Sequence, residues 1–225
     1  MTLTLGFDIY GTLIDPHGVV IKLSETIGDD ALAFSKLWRE KQLEYTFRRG
    51  LMQRYENFAV CTRQALDYAD TVMQTGLDDA TKQSLLQTYR VLPAFDDVKS
   101  SLQIISERGF RLFGFSNGVA EAVQGLLEQA GIDQYFEGVV SVDSIRTFKP
   151  SPEVYRYFLD CTGSKAEDSW LVSSNPFDVM GAVSFGMNAA WLKRAATAVY
   201  DPWEIPPTLE IENLTSLVDL PMNKQ

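Results

Sequence analysis

The chain has 225 residues, of which 45% are hydrophobic and 22% charged. This is the composition of a folded chain, and the length suits one domain or one domain carrying a sizeable insertion. Lys and Arg number 20 against 30 Asp and Glu, a formal net charge of −10, and such a field argues against nucleic acid or an anionic membrane as partner.

The side-chain inventory narrows the chemistry. There is one histidine, His17, so a zinc site with two or three His ligands within the chain is excluded. Gly114-Phe115-Ser116-Asn117-Gly118 matches the G-x-S-x-G elbow, but His17 precedes Ser116, and in that fold the histidine follows the serine. Residues 6–12 approach a P-loop and lack its lysine. The two cysteines, Cys61 and Cys161, match no metal-ligand spacing. No apolar run approaches the ~20 residues needed to span a bilayer, and no leader pattern opens the chain. The expectation is a soluble, cytoplasmic protein with packed, reduced thiols.

Short apolar runs predict strands over residues 3–8, 110–116, 138–142, 169–173 and 188–192. Between the later ones lie helical patterns. Val119, Ala122, Val123, Leu126, Leu127 and Ala130 recur at helical spacing until Gly131. Ser151-Pro152 and Asn175-Pro176 each read as an N-cap followed by proline, and Gly186 as a stop. Strands alternating with helices predict an α/β fold, a Rossmann-like parallel sheet covered on both faces. The first crossover breaks the rhythm. A helix over about residues 96–108 would suffice to link strands one and two, so residues 15–93 are surplus. They read as all helix. Phe34, Leu37, Trp38 and Tyr45 form one stripe, Leu43, Phe47 and Leu51 a second, and Tyr55, Phe58, Ala65, Leu66, Ala69, Val72 and Met73 a third. The expected organisation is a core of residues 1–14 and 94–225 with a helical cap of residues 15–93. Two stripes on one helix point to burial on two sides, against the core or a second subunit.

In an open α/β sheet, ligands bind beyond the carboxyl ends of the strands. The polar residues expected there are Asp8 after strand one, Ser116 and Asn117 after strand two, and Lys149 after strand three. Ser173, Ser174, Asn175 and Asp178 follow strand four. Any one could be a turn or a cap; four segments delivering polar groups to one rim are harder to explain that way. The Gly11-Thr12 turn directs backbone N–H groups at this rim, which suits an anion. Lys149 stands just before a helix start, where the macrodipole disfavours a cation by ~0.3–1 kcal/mol, so a carboxylate or anion partner is expected.

The pattern resembles the haloacid dehalogenase superfamily and, within it, the L-2-haloacid dehalogenases. The resemblance spans nearly the whole chain. It rests on Phe7-Asp8-Ile9-Tyr10-Gly11-Thr12-Leu13, on Trp38-Arg39-Glu40-Lys41-Gln42-Leu43-Glu44-Tyr45, and on Ser116-Asn117-Gly118. Lys149-Pro150 with Tyr155, and Ser173-Ser174-Asn175-Pro176-Phe177-Asp178, complete it. The superfamily's phosphatases carry a second Asp two positions after the nucleophile to protonate the leaving alkoxide. Here that position is Tyr10, whose unperturbed pKa of ~10 suits no such role. A halide leaves without a proton. Ser174-Asn175 stands where the phosphatases hold magnesium, so the resemblance implies no metal and no cofactor.

By this resemblance, Asp8 attacks carbon 2 of a short L-2-haloalkanoic acid. This forms an ester and inverts the carbon. Water, activated by Asp178 and oriented by Asn175, then releases a D-2-hydroxy acid. Lys149 keeps Asp8 ionised, and Thr12, Ser173 and Tyr155 steady the group. Ser116, Asn117 and the backbone amides from Ile9 onward bind the substrate carboxylate. Arg39 receives the halide, and Tyr10, Leu43, Phe58 and Phe177 wall the alkyl end. Relatives commonly carry Trp at the position of Phe177 and Gln at that of Glu40, which bears on substrate preference. The expected partners are a halogenated carboxylic acid, a halide product and a second copy of the chain in a homodimer. A magnesium-dependent phosphatase and a non-catalytic interaction protein stand as alternatives.

Overall fold

The computed structural model describes residues 2–221. Six strands form one sheet: β1 (Thr4–Phe7), β2 (Arg111–Ser116), β3 (Gly138–Ser141), β4 (Ser169–Ser173), β5 (Asn188–Leu192) and β6 (Leu209–Ile211). Their order is β3-β2-β1-β4-β5-β6, and every pairing is parallel. β1 and β4 are buried at every residue, as strands covered on both faces must be. The five strands read from the sequence are present, two with both ends as expected and the others with ends shifted by one residue. β6 was not expected. It has three residues, one of them exposed, and so short an edge strand leaves no alternation to read.

Side-chain alternation sorts the core onto the two faces. Leu5, Phe7, Leu112, Val172 and Ala190 pack in one cluster with Val98, Leu102 and Ile105 of α5 (Val98–Ser106) and Val123, Leu126 and Leu127 of α6 (Ala120–Gln129). Phe113, Phe115, Leu171 and Ala189 pack in the other with α7 (Pro152–Thr162) and α8 (Pro176–Phe185). The order reverses at β1, where the chain goes first to β2 and later to β4, so the rim beyond β1 and β4 is the switch-point crevice where such sheets hold ligands.

Between β1 and α5 run α1 (Val20–Ile27), α2 (Ala31–Leu51), α3 (Phe58–Met73) and α4 (Asp79–Thr88). The outgoing and returning links pair with each other. Asp15 N donates to Pro93 O at 2.9 Å, Phe95 N donates to Leu13 O at 3.0 Å, and Ile14 bridges Ala94 in antiparallel fashion. On α2, Phe34 and Trp38 are buried, and Leu37 and Tyr45 are half-buried. The second stripe is buried only in part. Leu43 and Phe47 are half-buried, but Leu51, in the last turn, is 87% exposed.

Candidate active site

The parallel ladder from β1 to β4 continues one residue past the strand, where Asp8 N donates to Val172 O at 2.9 Å. The chain then curls on itself. The N–H groups of Thr12, Leu13 and Ile14 converge on Ile9 O at 3.2, 2.9 and 2.9 Å, and Gly11 N reaches Ile14 O at 2.8 Å. Gly11 makes the turn at φ +90°, a conformation that side chains disfavour. The N–H groups of Ile9 and Tyr10 find no backbone acceptor among the described residues. The ladder from β1 to β2 stops here too, at Phe7 and Gly114, and Phe115 O accepts from Lys149 Nζ at 2.8 Å.

The Asp8 carboxylate is held asymmetrically. Oδ2 accepts from Thr12 Oγ1 at 2.9 Å, Asn175 Nδ2 at 2.7 Å and Ser173 Oγ at 3.3 Å. Oδ1 accepts, among the described residues, from Lys149 Nζ alone, at 3.2 Å. Asn175 therefore sits at the N-cap position of α8 without capping it; its amide is committed to Asp8 and to Tyr10 O at 3.2 Å. Ser151, before α7, likewise makes no side-chain cap.

Lys149 is 1% exposed. Its ammonium bridges two carboxylates, Asp8 and Asp178, the second at 2.8 Å. It also lies 4.1 Å from the centroid of the Phe115 ring. A buried charge needs such partners. Burial opposes its charge, but the pairing with Asp178 and Asp8 outweighs this and holds Lys149 above the ordinary lysine value. Asp178 is fully buried. Burial pushes its carboxyl up to about 6, against the pull of Lys149 and with a further push from Asp8. Tyr155 Oη lies 2.9 Å from Asp178 Oδ1 and 3.0 Å from its carbonyl. Burial, then the Asp178 charge, keep this phenol well above its usual value, so it stays a donor. The approach of α7 to α8 depends on Gly181, where a Cβ would overlap Tyr155 Oη and come within 2.7 Å of Pro150 Cβ.

Helix α2 crosses over this rim. Arg39 Nη2 donates to Tyr10 O at 3.0 Å, and Nη1 to Gln42 Oε1 at 2.7 Å. Gln42 is itself fully buried and fixed, donating to Thr62 Oγ1 at 2.6 Å and accepting from Tyr89 Oη at 3.2 Å. Trp38 Nε1 donates to Thr62 O at 2.8 Å. Tyr10 packs on Phe58 with ring centroids 5.3 Å apart and stacks on Tyr89 at 6.0 Å. Burial raises the Tyr10 phenol far above its ordinary range, which makes it a still poorer acid.

Most of the residues singled out in the sequence therefore meet. Asp8, Thr12, Lys149, Ser173, Asn175, Asp178 and Tyr155 form one hydrogen-bonded group, and Arg39 reaches it through Tyr10. Ser116 and Asn117 are partly engaged in local structure. Ser116 Oγ accepts from Gly118 N at 3.0 Å, and Asn117 Oδ1 accepts from Lys149 N at 3.0 Å. This leaves the Asn117 amide nitrogen for a ligand. The Ile9 side chain is fully buried, so only its backbone can serve. Phe177 is half-buried and meets Phe47 edge-to-face at 5.0 Å. Leu43 lies on α2 one turn from each of Arg39 and Phe47. Glu40 is exposed. Gln42, Phe47, Tyr89, Gly181 and the carbonyl of Phe115 were missed. Only Gln42 and Phe47 carried a sequence signal, at i+3 and i+8 from Arg39.

Residues 3–186 match the family model of the haloacid dehalogenase-like hydrolases. The chain is 35% identical to the (S)-2-haloacid dehalogenase of Pseudomonas sp. (strain YL) over 96% of its length and 93% of that protein. It is also 35% identical to haloacetate dehalogenase H-2 of Moraxella sp. (strain B), over 96% of both chains. The structure of L-2-haloacid dehalogenase from Xanthobacter autotrophicus with chloropropionic acid covalently bound superposes with a TM-score of 0.88 at 28% identity, covering 97% of each chain. An aspartate-bearing loop at the switch point of a parallel sheet, together with these likenesses, makes this chain a member of the haloacid dehalogenase-like hydrolase family.

Proposed function

We propose that the protein hydrolyses short L-2-haloalkanoic acids to D-2-hydroxyalkanoic acids through an ester on Asp8. The observation that carries this is the asymmetric Asp8 carboxylate beside a second, buried carboxylate on the same ammonium. Oδ1, with Lys149 as its one donor, is the freer nucleophile. It attacks carbon 2 from behind the carbon–halogen bond, the halide leaves, and the carbon inverts. The ester carbonyl oxygen is then Oδ2, already surrounded by Thr12, Ser173 and Asn175. When water adds to the carbonyl, these donors meet the developing oxyanion, the arrangement that contributes most to acyl-transfer catalysis. Asp178 takes the proton from that water. Burial pushes its carboxyl up to about 6, and a general base is most effective when its pKa lies near the pH at which it operates. Lys149 balances the two carboxylates throughout.

The free N–H groups of Ile9 and Tyr10, with Ser116 and the Asn117 amide, would bind the substrate carboxylate. Arg39 would receive the halide, aimed by Gln42. Tyr10, Leu43, Phe58 and Phe177 would enclose the alkyl end and exclude water. Residues 15–93 would act as a cap over a core of residues 1–14 and 94–225. The same reading places the protein in the cytoplasm as a homodimer. The free thiols of Cys61 and Cys161 suit a reducing compartment. Leu51 and Met52, exposed at the end of α2, suit a self-complementary contact; light scattering that gives a monomer mass would remove the dimer.

The test of the activity is chloride release from L-2-chloropropionate with EDTA present, run beside hydrolysis of a phosphate monoester with magnesium. Steady chloride release with inversion at carbon 2 is expected. Phosphate turnover abolished by EDTA, with no chloride release, would replace this reading by the phosphatase.

A further inference from the structure

Thr12 is gripped at both ends. Its hydroxyl donates to Asp8 Oδ2, and its carbonyl accepts from Arg194 Nε at 2.9 Å and Nη2 at 2.5 Å. Arg194 comes from the segment just after β5, two strands away from β1. Its remaining nitrogen, Nη1, lies 2.6 Å from Asp97 Oδ1, and its guanidinium sits 4.3 Å from the centroid of the Phe95 ring. Phe95 and Asp97 belong to the link that returns from the helical insertion to α5. That link is already paired with the outgoing link through Asp15, Leu13, Pro93 and Phe95. One guanidinium thus ties the loop that carries Asp8 to the returning link, which is itself paired with the outgoing one. The fork geometry matters, because two N–H groups on one carbonyl fix its position in a way that a point charge does not.

We infer that Arg194 is a positioning residue. It fixes Thr12, and through it Asp8 Oδ2, and it holds the helical insertion in register over the rim. Arg194 makes no direct hydrogen bond to Asp8. Its effect on turnover rests on the reading of Asp8 as the nucleophile, while its clamping of the two links does not. Small misplacements of a reacting group by a residue remote from the chemistry cost on the order of 100-fold in rate.

The test compares Arg194→Met, Arg194→Lys and Asp97→Asn with the wild-type enzyme, well below their melting temperatures. For Arg194→Met, kcat for L-2-chloropropionate is expected to fall about 30–100-fold, with KM within about threefold. Arg194→Lys should recover part of that loss and Asp97→Asn should lose about three- to fivefold, since each leaves part of the clamp. The acidic limb of the pH profile should not move, because Arg194 does not touch Asp178. Hydrogen exchange should rise about tenfold or more in residues 11–15 and 93–97 and stay unchanged in residues 169–173. A merely structural role would lower the melting temperature without this split between kcat and KM or this localisation. A folded Arg194→Met with kcat within about twofold of wild type, or exchange that rises evenly through the sheet, would overturn the inference. If Arg194→Met fails to fold, the Lys and Asn variants decide by the same criteria. Wild-type enzyme inactive on haloacids would instead defeat the functional reading, and the exchange comparison would still decide the clamp.

Discussion

Asp178 and Lys149 set the charge logic of the site. The carboxyl of Asp178 is pushed up to about 6 first by burial, with the nearby Asp8 charge adding to the push. In the proposed reaction its carboxylate form is the base, so the water-attack step weakens as pH falls and the residue takes its proton. Esterification neutralises Asp8 and removes one upward push. The acidic limb of kcat is therefore expected at or below pH about 6, with ester accumulating beneath it. Quenched-enzyme mass spectrometry across pH measures that accumulation. Asp178→Asn should hold the ester at every pH, and rapid turnover by that variant would remove Asp178 as the base. Lys149→Met strips two carboxylates of their shared partner. Breaking a buried pair costs roughly 3–5 kcal/mol, and here protonation relieves the cost. Asp178, already raised by burial and now without the downward pull of Lys149, would titrate higher still in the folded chain, so the stability deficit should be greatest above neutral pH and shrink as pH falls. Urea titrations at pH 8 and pH 5 check the sign; equal deficits at both would contradict it.

The packing between helices decides what reaches these residues. Gly181 on α8 leaves the space that Tyr155 of α7 occupies when it donates to Asp178. Gly181→Ala should displace that hydroxyl and lower kcat by about tenfold, an effect of the size of one lost charged hydrogen bond. Tyr155→Phe should match it, and an unaffected Gly181→Ala would argue against this contact. Along α2, Arg39, Leu43 and Phe47 follow one another at intervals of one turn, and Phe47 closes on Phe177. Phe47→Ala should favour longer substrates. The ratio of kcat/KM for 2-chlorohexanoate over 2-chloropropionate should rise about tenfold, the scale on which apolar pockets discriminate methylenes. An unchanged ratio would place the wall elsewhere. The stripe of Leu43 and Phe47 was legible as helical spacing, but not which stripe would face the rim. That depends on the angle at which α2 crosses the sheet, which periodicity does not encode. The exposed Leu51 shows the same limit.

At the scale of the whole molecule, the sheet order β3-β2-β1-β4-β5-β6 explains why so much was readable. Strand ends are local features, and a parallel sheet collects all of them on one edge. Asp8, Ser116, Lys149, Ser173 and Asn175 were therefore visible as a set from positions far apart in the chain. Arg194 was not, although it follows the fifth strand, because its work is done on a backbone carbonyl that has no side-chain signature. The role of Asn175 was half legible: its place before Pro176 marked a helix start, while its amide turned to Asp8 instead of the helix. An ester on Asp8, opened by water at its own carbonyl, leaves an isotopic trace. One turnover is run in oxygen-18 water with enzyme in excess over L-2-chloropropionate, and the Asp8 peptide and the hydroxy acid are analysed by mass. One oxygen-18 in Asp8 with unlabelled product is expected, whereas label passing straight into the hydroxy acid while Asp8 stays unlabelled would mean that water, not Asp8, attacks carbon 2.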